Sequence, residues 1–273
     1  MWSVLLLVIS IFAGFLGALL GLGGGLIVVP ALTLIFNVDI RYAIAASLIS
    51  IIATSSGAAA SFLKDNLTNL RLAVLLEMGT VAGAMVGFVI SSQINNSVLY
   101  LLFGFLLLFS AVMMFRKKGN QRSEVDHPWS QHLKLGATYQ DESSYESVAY
   151  KVANVPFGLF AMFFAGILSA LLGIGSGIFK VLAMDGAMKL PMKVSSATSN
   201  FMIGVTASAS AGAYLLRGDI RPEIAAPVSI GIIIGSFAGG KMMPKMPAAT
   251  IRKIFVVVLL IVSIQMIIKG LNP

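Results

Sequence analysis

The chain has 273 residues, of which 58% are hydrophobic and only 11% charged, with a mean hydropathy of +0.93. A water-soluble domain carries about 25% charged residues, so a soluble enzyme and a disordered chain are both excluded, and an all-α polytopic membrane protein is implied. The net charge of +8 comes from 19 Lys and Arg residues dispersed between apolar runs, a pattern of membrane orientation rather than of nucleic-acid binding.

The N-terminal Met1-Trp2-Ser3-Val4 lacks the basic region of a secretory leader and is read as mature chain. Apolar runs follow at 2–20, 25–36, 43–63, 71–91 and 97–115, then at 155–172, 177–188, 195–215, 222–243 and 250–269. A spanning helix needs about 20 apolar residues. The runs at 25–36 and 177–188 are too short, reaching about 18 Å at about 1.5 Å per residue. Between the two sets, 116–154 opens with Arg116-Lys117-Lys118 and is too polar to enter a bilayer. Within it Leu133, Leu135 and Ala137 alternate with Lys134, Gly136 and Thr138, and Val148, Tyr150 and Val152 form a second alternating stretch. A small β-hairpin is expected there, outside the membrane. The organisation is thus a transmembrane repeat over 1–115, a linker over 116–154 and a second transmembrane repeat over 155–273.

Shifting the chain by 152 residues superposes 12–110 on 164–262 without a gap. Phe12-Ala13-Gly14 falls on Phe164-Ala165-Gly166, and Ala18-Leu19-Leu20-Gly21 on Ala170-Leu171-Leu172-Gly173. Ser47 falls on Ser199, and Gly79, Gly83 and Gly87 on Gly231, Gly235 and Gly239. If each half is a re-entrant hairpin plus three spans, the basic residues divide fourteen to four across the membrane, with Lys180 inside it; four spans per half give only eleven to seven. The positive-inside rule favours the first arrangement, with inverted repeats, a cytoplasmic linker and both termini outside.

Candidate binding residues gather at two glycine-rich breaks: Gly21, Gly23, Gly24 and Gly25, and their copies Gly173, Gly175, Ser176 and Gly177. Such glycine density breaks a helix, and open backbone at membrane depth is tolerated only where protein or a water-filled cavity satisfies it. A short helix after the break offers N–H groups and a positive dipole end, which suit an anion; close helix packing is the competing explanation. Lys180 follows the second break by one turn. It is read as a counter-charge for an anion, or else as an ion-pair partner of Asp185 or a side chain snorkelling to the interface. Ser47, Ser199 and Asn200 offer hydroxyl and amide groups; Glu77 and Asp185 are candidates for proton coupling, and Glu77 equally for pairing with a neighbouring basic loop. The glycines at 79, 83 and 87, and at 231, 235 and 239, read as helix packing.

The paired glycine loops, the central linker and the segment Lys193-Val194-Ser195-Ser196-Ala197-Thr198-Ser199-Asn200-Phe201-Met202-Ile203-Gly204-Val205-Thr206 resemble the TauE/SafE family of membrane permeases. The resemblance covers both halves; Ser176 and Leu182 depart from the family's glycine run and following proline. It implies a cell-membrane secondary transporter exporting sulfite or an organosulfonate, by alternating access at a midplane site between the two loops. A passive anion channel, or a sensor signalling through the linker, would use the same parts. The implied partners are a small anion and the lipid bilayer, with a homo-oligomer also open.

No cofactor or metal is expected. There is no cysteine, and His127 and His132, with Glu124 and Asp126, lie in the polar linker. Enzyme activity is not expected either: both histidines are in the linker, so no intramembrane Ser–His dyad can form. No GxxxxGK[ST] loop is present for ATP.

Overall fold

A computed structural model describes residues 2–20, 24–64, 67–116, 128–141, 146–242 and 248–271. Its first half holds α1 (Trp2–Leu20), α2 (Gly25–Pro30), α3 (Ile40–Lys64), α4 (Leu70–Ser91) and α5 (Asn96–Arg116). The linker holds α6 (Pro128–His132) and strands β1 (Ala137–Asp141) and β2 (Glu146–Tyr150). The second half repeats the first as α7 (Val155–Leu172), α8 (Gly177–Leu182), α9 (Met192–Arg217), α10 (Pro222–Met242) and α11 (Ala248–Leu271). The protein is an all-α membrane protein with one small antiparallel sheet. By length and composition, Leu70–Ser91, Val155–Leu172 and Pro222–Met242 are apolar enough to cross a bilayer among the described residues.

The short runs are not simple helices. α2 passes into a π-helical turn at Ala31–Ile35, and α8 into one at Ala183–Ala187. Each closes through a long-reach bond, Val38 N–H to the Leu32 carbonyl and Leu190 N–H to the Met184 carbonyl, both at 3.0 Å. Pro30 precedes the first turn, but Leu182 precedes the second, so the missing proline N–H is not the cause of the widening.

The halves are interlaced. α1 packs on α10 while α7 packs on α4; α3 crosses α9, and α5 lies on α11. The glycines make this possible. A Cβ on Gly79, Gly83 or Gly87 would meet the backbone carbonyl of Leu159, Phe163 or Ile167, at 2.9, 1.9 and 2.4 Å. A Cβ on Gly231, Gly235 or Gly239 would meet the carbonyl of Leu7, Ile11 or Phe15, at 2.7, 1.9 and 2.4 Å. The partners in the second seam are those of the first moved by 152 residues. Both seams are therefore the backbone-to-backbone packing expected of small residues in a membrane, as anticipated for these stripes.

The linker hairpin forms, but not where the alternation begins. β1 and β2 pair with Ala137 opposite Tyr150 and Tyr139 opposite Val148. Leu133, expected to face inward, is 42% exposed, because the chain turns through Lys134 (φ +49°) before the strand starts. Leu135, Tyr139, Val148 and Val152 are buried in one cluster with Leu67, Met184, Met188, Leu190 and Val194. The hairpin is thus seated on the helices rather than held away from them. Residues 142–145, between the strands, and His127, Glu124 and Asp126 lie outside the described residues.

Candidate functional site

The two helix breaks approach each other where α3 crosses α9. The Ser47 hydroxyl, on α3, donates to the Gly173 carbonyl across the repeats at 2.6 Å. A Cβ on Gly25 would lie 2.5 Å from that same carbonyl, so only glycine fits there. Gly173 and Gly175 take φ values of +63° and +72°, and Ser176 takes +54°, a left-handed run that glycine adopts at little cost and that strains a serine. Gly24 N–H points to Thr54 Oγ1 at 3.4 Å. Gly21 and Gly23 lie outside the described residues.

On the opposite helix the Ser199 hydroxyl donates to the Gly177 carbonyl at 3.3 Å, and the Ser55 hydroxyl from α3 donates to the Asn200 carbonyl at 2.6 Å. The Asn200 side chain differs from these. It is fully buried, yet neither Oδ1 nor Nδ2 has a hydrogen-bond partner. A buried amide group left unpaired costs about 1–3 kcal/mol, and Leu48 occupies the equivalent place in the first repeat.

Lys180 sits one turn beyond Gly177 and is wholly buried. Its ammonium donates to Glu77 Oε2 at 3.2 Å and to the Thr206 hydroxyl at 2.6 Å. The Thr206 hydroxyl donates in turn to Glu77 Oε1 by a short bond. The acid is therefore Glu77 on α4 of the other repeat, 103 residues away, where the sequence suggested Asp185 five residues on. Nor are Ser176 or Asn200 bonded to the ammonium. Ser176 turns its hydroxyl to the Gly175 carbonyl at 2.7 Å. Asp185 is buried in the π turn that follows α8. Thr206, two turns after Ser199, was not singled out from the sequence; its identity with Thr54 in the repeat was the available signal.

This cluster breaks the internal symmetry. The equivalents of Lys180, Glu77 and Thr206 are Val28, Ser229 and Thr54, so this cluster carries two opposite charges where its symmetry mate carries none.

The linker hairpin is tied to the same elements. Asn69 caps α4 by accepting from Leu72 N–H at 3.1 Å, and its amide donates to the Leu135 carbonyl at 2.7 Å and the Tyr150 hydroxyl at 3.0 Å. Its backbone N–H donates to Thr198 Oγ1 of α9 at 3.1 Å. Ala153 N–H reaches the Met188 carbonyl at 3.0 Å, after α8. Burial pushes the Tyr150 phenol above its usual range, although the Asn69 bond pulls the other way. The symmetry-related end of the molecule, at the start of α3, holds an open cavity of about 530 Å³ lined by Asp39, Arg41, Tyr42, Asn95, Asn96 and Asp219. Asp219 and Tyr42 there match Leu67 and Val194 beneath the hairpin.

Among the described residues no group of three or more His, Cys, Asp or Glu side chains is placed to hold a metal. No solved structure matches the chain. It is 29% identical to the probable membrane transporter protein YunE of Bacillus subtilis, with 98% of each chain covered. It is 27% identical to a probable membrane transporter protein of Methanocaldococcus jannaschii, over 91% of this chain and 89% of that one. The family model described as sulfite exporter TauE/SafE matches residues 6–266. The two interlaced repeats, each with its glycine break, thus come with a family match over almost the whole length, and the chain belongs to the TauE/SafE family of membrane transporters.

Proposed function

We propose that the protein is a secondary transporter of a small sulfur oxyanion, sulfite or an organosulfonate, and that it exports this anion across the cell membrane by alternating access. In this reading the anion binds where the breaks at 21–25 and 173–177 meet, held by backbone N–H groups and by Ser47, Ser199 and Asn200. The repeats are inverted, the linker is cytoplasmic and both termini are outside. The observation that carries the binding site is Asn200: an amide buried on α9, next to the Ser199 that bonds to the second break, with its donors and acceptor unpaired. An amide Nδ2 offers two N–H donors to an oxyanion without fixing its charge. Ser199 beside it and Ser47 across the repeat supply hydroxyls at the same level of the crossing helices.

Asn200→Leu tests this, because leucine is what the first repeat already carries there. Removing an unpaired buried amide should raise stability by about 1–2 kcal/mol. Counterflow of sulfite or methanesulfonate in proteoliposomes should fall at least tenfold, matching the loss of about 1.4 kcal/mol of binding. A variant that transports normally would place the anion elsewhere.

A further inference from the structure

We propose that Glu77 is a proton-carrying site that governs Lys180: when Glu77 takes up a proton it releases the ammonium to the transported anion, so that one proton and one anion move together. The inference rests on the transport reading above and adds its coupling ion: export runs down the anion's own gradient and carries one proton out with each anion.

The cluster is neutral as it stands, with one ammonium and one carboxylate bridged by a hydroxyl. Placing an anion beside Lys180 would leave a net negative charge in a buried setting, where an uncompensated ion is strongly disfavoured. Adding a proton to a Glu77 oxygen restores neutrality. The O–H bond forms on the carboxylate, the proton comes from water on the side then accessible, and no electron changes hands. Thr206 makes the exchange geometrically direct. Its single proton can go to Glu77 Oε1 or to the Met202 carbonyl, 3.1 Å away. When Glu77 becomes a neutral acid the hydroxyl can turn to its own backbone and accept from the acid.

The surroundings single out Glu77 among the acids. α4 packs on α7 and α9. α7 carries no titratable side chain, and α9 carries Lys193, Tyr214 and Arg217 toward its ends. α8 and the turn after it bring Lys180 and Asp185. Lys180 is the one fully buried basic side chain among the described residues. The symmetry-related positions Val28, Ser229 and Thr54 are uncharged, which makes the coupling one proton rather than two. Lys180 lies one turn past Gly177, whose carbonyl Ser199 engages, which puts the cluster next to the proposed anion site.

The test uses proteoliposomes and methanesulfonate, which stays a monoanion across the working range. Wild-type protein should show counterflow without a gradient, and a one-unit pH gradient should sustain up to about tenfold accumulation. Glu77→Gln should keep counterflow and lose the accumulation. The pair Lys180→Val with Glu77→Ser copies the symmetry-related cluster and should fold without responding to the gradient. Independently of turnover, wild-type protein in detergent should take up about one proton per anion bound, read with an indicator dye in weak buffer. That measurement decides the matter if Glu77→Gln does not fold. Absence of wild-type counterflow would overturn the transport reading and this inference with it. Counterflow with no gradient-driven accumulation, accumulation retained in Glu77→Gln, or binding without proton uptake would overturn the coupling alone.

Discussion

Replacing Gly83 by alanine adds one methyl group at a point where two backbones already touch. Its Cβ would stand 1.9 Å from the Phe163 carbonyl oxygen. To restore an ordinary contact of 3.4 Å, α7 must retreat by about 1.5 Å, a gap that forfeits much of the attraction between the atoms it separates. No side-chain rotamer can relieve a clash between a Cβ and a carbonyl. Overpacking of this kind costs about 1–3 kcal/mol, while alanine regains about 1 kcal/mol of helix propensity. The net expectation is a loss of up to about 2 kcal/mol. Gly212 on α9 provides the control, since a Cβ there meets nothing within 4 Å; its alanine variant should gain up to about 1 kcal/mol. Denaturant titration in detergent, followed by far-UV circular dichroism, measures both. Gly235→Ala, which meets the Ile11 carbonyl at the same 1.9 Å, should match Gly83→Ala. Equal stability of the Gly83 and Gly212 variants would refute the claim that glycine is needed for the seam.

Two further outcomes follow from the linker. Asn69→Ala removes the α4 cap, at about 1 kcal/mol, and leaves the Leu135 carbonyl without its donor, at about 1–3 kcal/mol; the hairpin should loosen, and trypsin should cut faster at Lys134 and Lys151. Unchanged cleavage would mean that the apolar seat alone holds it. Ser147→Cys introduces a lone thiol at an exposed position of β2 in a chain without cysteine, and it should resist an impermeant reagent applied to intact cells; ready labelling would reverse the proposed orientation.

The repeat was legible because its glycines are spaced by steric need. A carbonyl at each glycine of one seam demands a carbonyl at each glycine of the other, and the 152-residue offset records that demand. The hairpin was legible from its alternation, although Lys134 delays the strand in a way no alternation shows. The partner of Lys180 was not legible. A nearby acid, Asp185, offered itself in sequence, whereas Glu77 arrives only because α4 of one half lies against α7 and α9 of the other. Asn69 was missed for the same reason: its bonds to Leu135 and Tyr150 exist only once the linker is docked. The π turns after Pro30 and Leu182 carry no shared residue signal that would have announced them.

The crossed seams also set the order of events during synthesis. α1 leaves the ribosome about 200 residues before α10, a delay of about 10–40 s at 5–20 residues per second. During that interval the face of α1 that will receive Gly231, Gly235 and Gly239 has lipid for a neighbour. α5 waits in the same way for α11, the last helix of the chain. Neither half contains the partner of its own first helix, so the nascent chain has no early module to complete and set aside. The unit of folding is the entire polypeptide, even though the unit of ancestry is half of it.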